Sequence, residues 1–147
     1  MKTEGSEPIG MRFPRQRAER LRRMAKSHGW TPSEASARLV EEALRREDFA
    51  FIDFRDSSAG RQAYLQSSSL AVWEVAALAR SFGNDAAAVA KHLRWPEVKV
   101  LAALNYAKAF LEEIETAMAA NDAVDFEALS QMLPQAKEFI ASIPERA

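Results

Sequence analysis

Arg12 is the side chain best placed in this chain to read a nucleic-acid base. It lies in the short segment Ile9-Gly10-Met11-Arg12-Phe13, where large apolar residues alternate with others. A two-residue period sends Ile9, Met11 and Phe13 to one side of a strand, and Gly10 and Arg12 to the other. An outward arginine can bond guanine O6 and N7 together in a major groove. Gly10, and Pro8 before it, share that outward side without a hydrogen-bonding side chain, so any specificity here is modest. Arg15, Arg17, Arg22 and Arg23 follow and add attraction for phosphate that ignores base sequence. Thr31, Ser33 and Glu34 open a later helix, whose first N–H groups suit a phosphate clamp. Gly10, Arg12, Arg15, Thr31 and Ser33 are therefore the candidate contacts to DNA. Lys91, Arg94 and Lys99 straddle another turn between helices, either as a second phosphate-binding patch or as charge that keeps a turn soluble.

Other chemistries find little support. With no cysteine in 147 residues, a disulfide scaffold, a thiolate metal site and a cysteine nucleophile are excluded. His28 and His92 stand apart, with no second ligand spaced to join either, so no metal is expected. Ser67, Ser68 and Ser69 read as helix caps, Asp53 and Asp56 as solvated carboxylates, and no glycine-rich phosphate loop occurs. The expectation is a protein that is not an enzyme and needs no cofactor. No apolar run approaches ~18 residues and no signal core opens the chain, so a cytoplasmic protein that does not enter membranes is expected.

Positioning these residues requires elements. A lone strand over 9–13 leaves its backbone groups unpaired, and no second strand lies nearby. The economical partner is the same strand of a second copy, giving a homodimer about a two-fold axis. A two-stranded ribbon fits the major groove. After Pro14, Ala18, Leu21, Met24 and Ala25 mark one face of a helix that ends at His28-Gly29. Thr31-Pro32-Ser33-Glu34 is a capping box, and the helix behind it carries Ala35, Leu39, Val40, Ala43 and Leu44 on its expected buried face.

From Phe49 the texture changes. FAFIDFRD, SSAG and GRQAYLQ read as strand, turn, strand. SSSLAVWEVAALARSFG is a largely apolar helix, Asn84 or Asp85 caps a short one, and Pro96 starts a long one running to Asn121. Val100, Leu101, Leu104, Ala107, Leu111, Ile114 and Met118 keep its helical period, with Glu112, Glu113 and Glu115 outside. Two short helices and a longer third form a helix-turn-helix-like group, or simply a small trihelical packing module. Trp30, Trp73 and Trp95 read as core or interdomain anchors, with the DNA backbone as the alternative for Trp30.

The fold class expected is mainly α: a ribbon-helix-helix dimerisation unit, a small β-hairpin plus three-helix domain, and an amphipathic tail. The bounds are 1–7 for a disordered N-terminus, 8–48 for the ribbon unit, 49–122 for the middle domain and 123–147 for the tail. Charge is graded along them: residues 1–48 carry a net +3, residues 109–147 a net −6, and the whole chain −1. A basic head and an acidic tail point to an anionic partner at one end and a different partner at the other.

Two resemblances sharpen this. RFPRQRAERLRRMAKSHGWTPSEASARLVEEALRRE resembles the Arc and CopG type of ribbon-helix-helix protein over roughly residues 8–47. The resemblance puts Arg12 on a base-contacting strand position, and Thr31 and Ser33 where the second helix meets phosphate. Gly10 and Pro8 depart from the polar residues usual there. The middle region is similar to a prokaryotic domain marked here by Gly60-Arg61, Val72-Trp73, His92-Leu93, Ala103 with Tyr106, and Glu113-Ile114. Such domains recur in VapB-type antitoxins of VapBC-like pairs, whose toxins resemble PIN-domain ribonucleases. The resemblance implies a DNA-binding antitoxin that represses its own operon and blocks a PIN-like ribonuclease. Phe126, Leu129, Met132, Leu133, Phe139 and Ile140 of the acidic, apolar tail are the candidate toxin contacts. The alternatives are a free-standing ribbon-helix-helix regulator without a toxin, and a scaffold that assembles through both domains.

Overall fold

The computed structural model describes residues 5–132, with side chains as far as residue 122. The chain divides into two compact units, Met1–Arg45 and Arg46–Ala147.

In the first unit, α1 (Arg15–His28) opens behind Pro14, whose carbonyl accepts the Ala18 N–H at 3.0 Å. It closes at Gly29, whose φ of +70° is the left-handed conformation that costs glycine nothing. The Gly29 N–H then donates to the Lys26 carbonyl at 3.2 Å, and the Trp30 N–H to the Ala25 carbonyl at 2.8 Å. These are the two bonds of a Schellman cap. α2 (Pro32–Asp48) begins with proline at its first position, where a missing N–H costs least.

Among the described residues of this unit, the buried apolar ones are two alanines, Ala25 and Ala35. The expected buried face of α2 is largely open: Val40 and Leu44 are exposed, as is Ala43, and Leu39 is half-buried. Residues 9–13 form no strand in the single chain, and Ile9 is 83% exposed. An isolated strand has no partner for its N–H and C=O groups, so the sequence pattern alone cannot hold it in a ladder. The alternation itself survives. Glu7, Ile9, Met11 and Phe13 line one groove of about 600 Å³ together with Leu21, Val40 and the α2 start at Pro32 and Ser33, while Gly10 and Arg12 do not.

The second unit has a substantial core. β1 (Ile52–Ser57) and β2 (Gly60–Leu65) pair antiparallel, with Ile52 opposite Leu65 and Phe54 opposite Ala63 on the buried side. Gly60, at φ +102°, completes the tight turn. Arg55 fixes the loop after the hairpin: its guanidinium donates to the Ser68 carbonyl at 2.6 Å and lies 5.1 Å from the Tyr64 ring. α3 (Val72–Ser81), α4 (Ala86–Leu93) and α5 (Glu97–Ala109) pack behind it through Val72, Val75, Ala79, Val89, Val100, Ala103 and Tyr106. Ser67, Ser68 and Ser69 do not cap α3. Ala71 holds that position without a side-chain bond, and Ser68 Oγ accepts the Leu70 N–H at 2.9 Å within the loop. Asp85 caps α4, accepting the Ala88 N–H at 3.2 Å.

The long helix expected from Pro96 to Asn121 is two helices. It breaks at Phe110, and α6 runs Leu111–Met132. Phe110 turns into an aromatic group with Tyr106 at 4.7 Å and Phe49 at 5.6 Å. Tyr106 Oη donates to Glu113 at 2.9 Å, bridging the break. Leu101, within α5, and Leu111, just after the break, are exposed, and Glu115 binds Arg80 from α3. α6 also crosses the expected boundary between residues 122 and 123 without interruption.

Candidate nucleic-acid interface

Arg12 and Arg15 precede and begin α1, and both are exposed. Arg15 approaches Glu19 at 3.5 Å, with 93% of its side chain in solvent, an arrangement that holds it weakly. Gly10 has no atom within 4 Å of where a Cβ would stand, so its lack of a side chain is not forced by crowding within the chain.

The start of α2 is more occupied than the sequence suggests. The Thr31 N–H donates to Glu34 Oε2 at 2.8 Å, and the Glu34 N–H donates to Thr31 Oγ1 at 3.2 Å. Two of the three N–H groups expected to clamp a phosphate are therefore taken by the capping box, and a carboxylate sits where the anion would. Ser33 keeps its place in the groove beside Pro32.

Beside this helix start lies a stack that spacing did not reveal. Trp30 packs face to face on His28, ring centres 4.4 Å apart, and Arg38 lies 4.5 Å over the indole. His28 Nδ1 is 2.9 Å from the Met24 carbonyl, which fixes the ring. The available signal was the eight-residue step from Trp30 to Arg38, one to two turns into α2, which only the cap geometry makes productive. Trp30 is thus a surface platform rather than a core anchor, half-buried between a histidine and an arginine.

The chain matches no protein-family model, no curated protein and no solved structure.

In the second unit, Lys91 and Arg94 are exposed around the turn between α4 and α5, whereas Lys99 is half-buried and lies 4.3 Å over the Trp95 ring. Arg94 caps α4 in the left-handed conformation, φ +58°, where glycine would be cheaper. His92 packs 5.3 Å from Phe82. The exposed side of α5 carries Glu97, Val98, Leu101, Asn105 and Lys108. A helix presenting Glu97, Val98 and Leu101 toward a duplex offers no base-edge donor in its first turns.

Among the described residues no group of three or more His, Cys, Asp or Glu is placed to hold a metal ion, and no helix is long and apolar enough to cross a membrane. Of the candidate toxin contacts, Phe126, Leu129 and Met132 belong to the last turns of α6. Leu133, Phe139 and Ile140 lie outside the described residues.

Proposed function

We propose that this chain is a DNA-binding transcriptional regulator that acts as a homodimer through residues 9–13, and that it serves as the antitoxin of a type II toxin–antitoxin pair. The observation carrying the DNA-binding reading is the groove of the first unit. It collects Ile9, Met11 and Phe13 with Leu21 and Val40, while Gly10 and Arg12 are not among its lining residues. A unit whose buried apolar residues are two alanines leaves too much apolar surface open for a stable domain. The matching segment of a second copy supplies both the missing ladder partner and the missing cover. The resulting ribbon carries Arg12 outward twice, with Arg15 and Ser33 beside it for phosphate.

The antitoxin assignment rests on the resemblance of the two sequence regions and on the acidic, apolar character of residues 109–147, net −6. An RNA-cleaving partner needs a basic surface for its own substrate, and an acidic helix with apolar anchors is a fitting inhibitor of one. Co-expression of the tagged chain with its neighbouring reading frame tests this. Recovery of a small partner in fixed ratio, whose toxicity the chain suppresses, supports the assignment. Deleting residues 123–147 then abolishes suppression while leaving DNA binding intact. Absence of a partner, with DNA from the chain's own promoter still retarded, leaves a free-standing regulator.

A further inference from the structure

Among the described residues of its unit, none covers the exposed side of α5. Glu97, Leu101, Asn105 and Lys108 recur at intervals of four, four and three residues, one stripe of a helix, and Val98 flanks it. Val98 is 57% and Leu101 44% exposed, while Val100, Ala103 and Tyr106 on the other side are fully buried. Glu97 at the start and Lys108 at the end suit the dipole of their own helix, but that does not account for two open aliphatic residues between them.

We propose that α5 pairs antiparallel with α5 of a second copy of this chain. The order of the stripe is acid, aliphatic, aliphatic, amide, base. Antiparallel pairing about a two-fold axis sets Glu97 of each copy against Lys108 of the other. It brings Leu101 to the centre beside the half-buried Leu104, with Val98 closing the edge. Both ends are then oppositely charged and the middle is apolar. Parallel pairing would set Glu97 against Glu97 and Lys108 against Lys108, which repel. A nucleic-acid duplex fits the stripe poorly, since Glu97 would face phosphate and Val98 and Leu101 would meet water or sugar. The contact is isologous, as a two-fold requires. It involves none of the residues placed at the DNA surface, so it stands or falls separately from DNA binding. It is small beside a standard interface of ~1,600 Å² in total, so the association is weak and concentration-dependent.

The chain has no cysteine, so cross-linking has a clean background. Residues 97 and 108 are ~16 Å apart along one helix, too far to bridge within a copy. Under mild oxidation the double variant Glu97→Cys/Lys108→Cys forms disulfide-linked dimers, and Glu97→Cys alone forms none. Failure of the double variant to link while its melting curve shows it folded, or equal linking by the single variant, overturns the antiparallel pairing. Charge reversal gives a second arm by sedimentation at several concentrations. Glu97→Lys and Lys108→Glu each weaken self-association about tenfold, and the double reversal restores it. A double reversal weaker than either single variant contradicts the proposal. The Arg12→Ala variant in the cysteine background keeps the cross-link even where sequence preference for DNA is lost.

Discussion

Thr31 and Glu34 bind each other reciprocally at the start of α2, N–H to carboxylate at 2.8 Å and N–H to hydroxyl at 3.2 Å. The same two residues bound the helix start proposed to meet a phosphate. The box that stabilises the helix therefore competes with the anion. Thr31→Ala costs ~1 kcal/mol of stability, read by denaturant unfolding. Glu34→Gln removes a negative charge beside the phosphate position and strengthens DNA binding a few-fold at low salt, with the gain shrinking as salt rises. An unchanged affinity in that variant would separate the α2 start from the DNA surface.

Tyr106 is fully buried, and its hydroxyl reaches Glu113 across the break between α5 and α6. Tyr106→Phe keeps the aromatic contacts and loses ~1 kcal/mol. Tyr106→Ala also removes the ring packed against Phe49 and Phe110 and costs ~3–5 kcal/mol. Equal losses in the two variants, measured by the same unfolding experiment, would mean the hydroxyl rather than the ring holds the corner.

Arg94 ends α4 in the left-handed conformation, where a non-glycine side chain costs roughly 1 kcal/mol. Arg94→Gly therefore leaves stability unchanged or raises it by up to ~1 kcal/mol, the gain being trimmed by the extra freedom of the unfolded chain. If Lys91 and Arg94 hold phosphate, the same variant lowers the slope of log affinity against log salt by ~1. A destabilised Arg94→Gly variant would assign the arginine a structural contact instead.

Burial raises the pKa of Glu74, in the first turn of α3, and a backbone hydrogen bond from the Ala71 region only partly opposes this. The folded chain therefore prefers the protonated acid more than the unfolded chain does. That contribution to stability is full below the ordinary carboxylate pKa and is lost as pH rises through the raised one. Glu74→Gln is accordingly more stable than the parent at pH 7, and the difference closes as pH falls below the carboxylate range. Melting both proteins across pH 3.5 to 7 (a window around ~4.3, the unperturbed glutamate value) checks the sign.

Much of the second unit is legible in the sequence, because its signals are local. Alternation at Ile52, Phe54, Ala63 and Leu65, glycine at 60 and the Asp85 cap each act within a few residues. The break at Phe110 is not legible. Helical periodicity continues across it, and what ends α5 is an aromatic cluster drawing on Phe49, some sixty residues earlier. The serines at 67–69 mislead for the same reason: their position is set by Arg55 reaching the Ser68 carbonyl. At the first unit the alternation of residues 9–13 is correctly visible as sidedness, but a ladder needs a partner that one sequence does not contain. The stack of His28, Trp30 and Arg38 depends on the exact turn of the chain at Gly29 and so escapes any spacing rule.

The first unit is proposed to read DNA through Arg12. Fluorescence anisotropy with the DNA upstream of the chain's own reading frame, against a scrambled duplex of equal length, tests it most directly. The expected result is tighter binding to the upstream DNA, a fall in affinity with salt, and a loss of ~1–3 kcal/mol of preference in Arg12→Ala with residual binding to both duplexes. Equal affinity of the parent for the two duplexes, or an unaltered preference in Arg12→Ala, would contradict it.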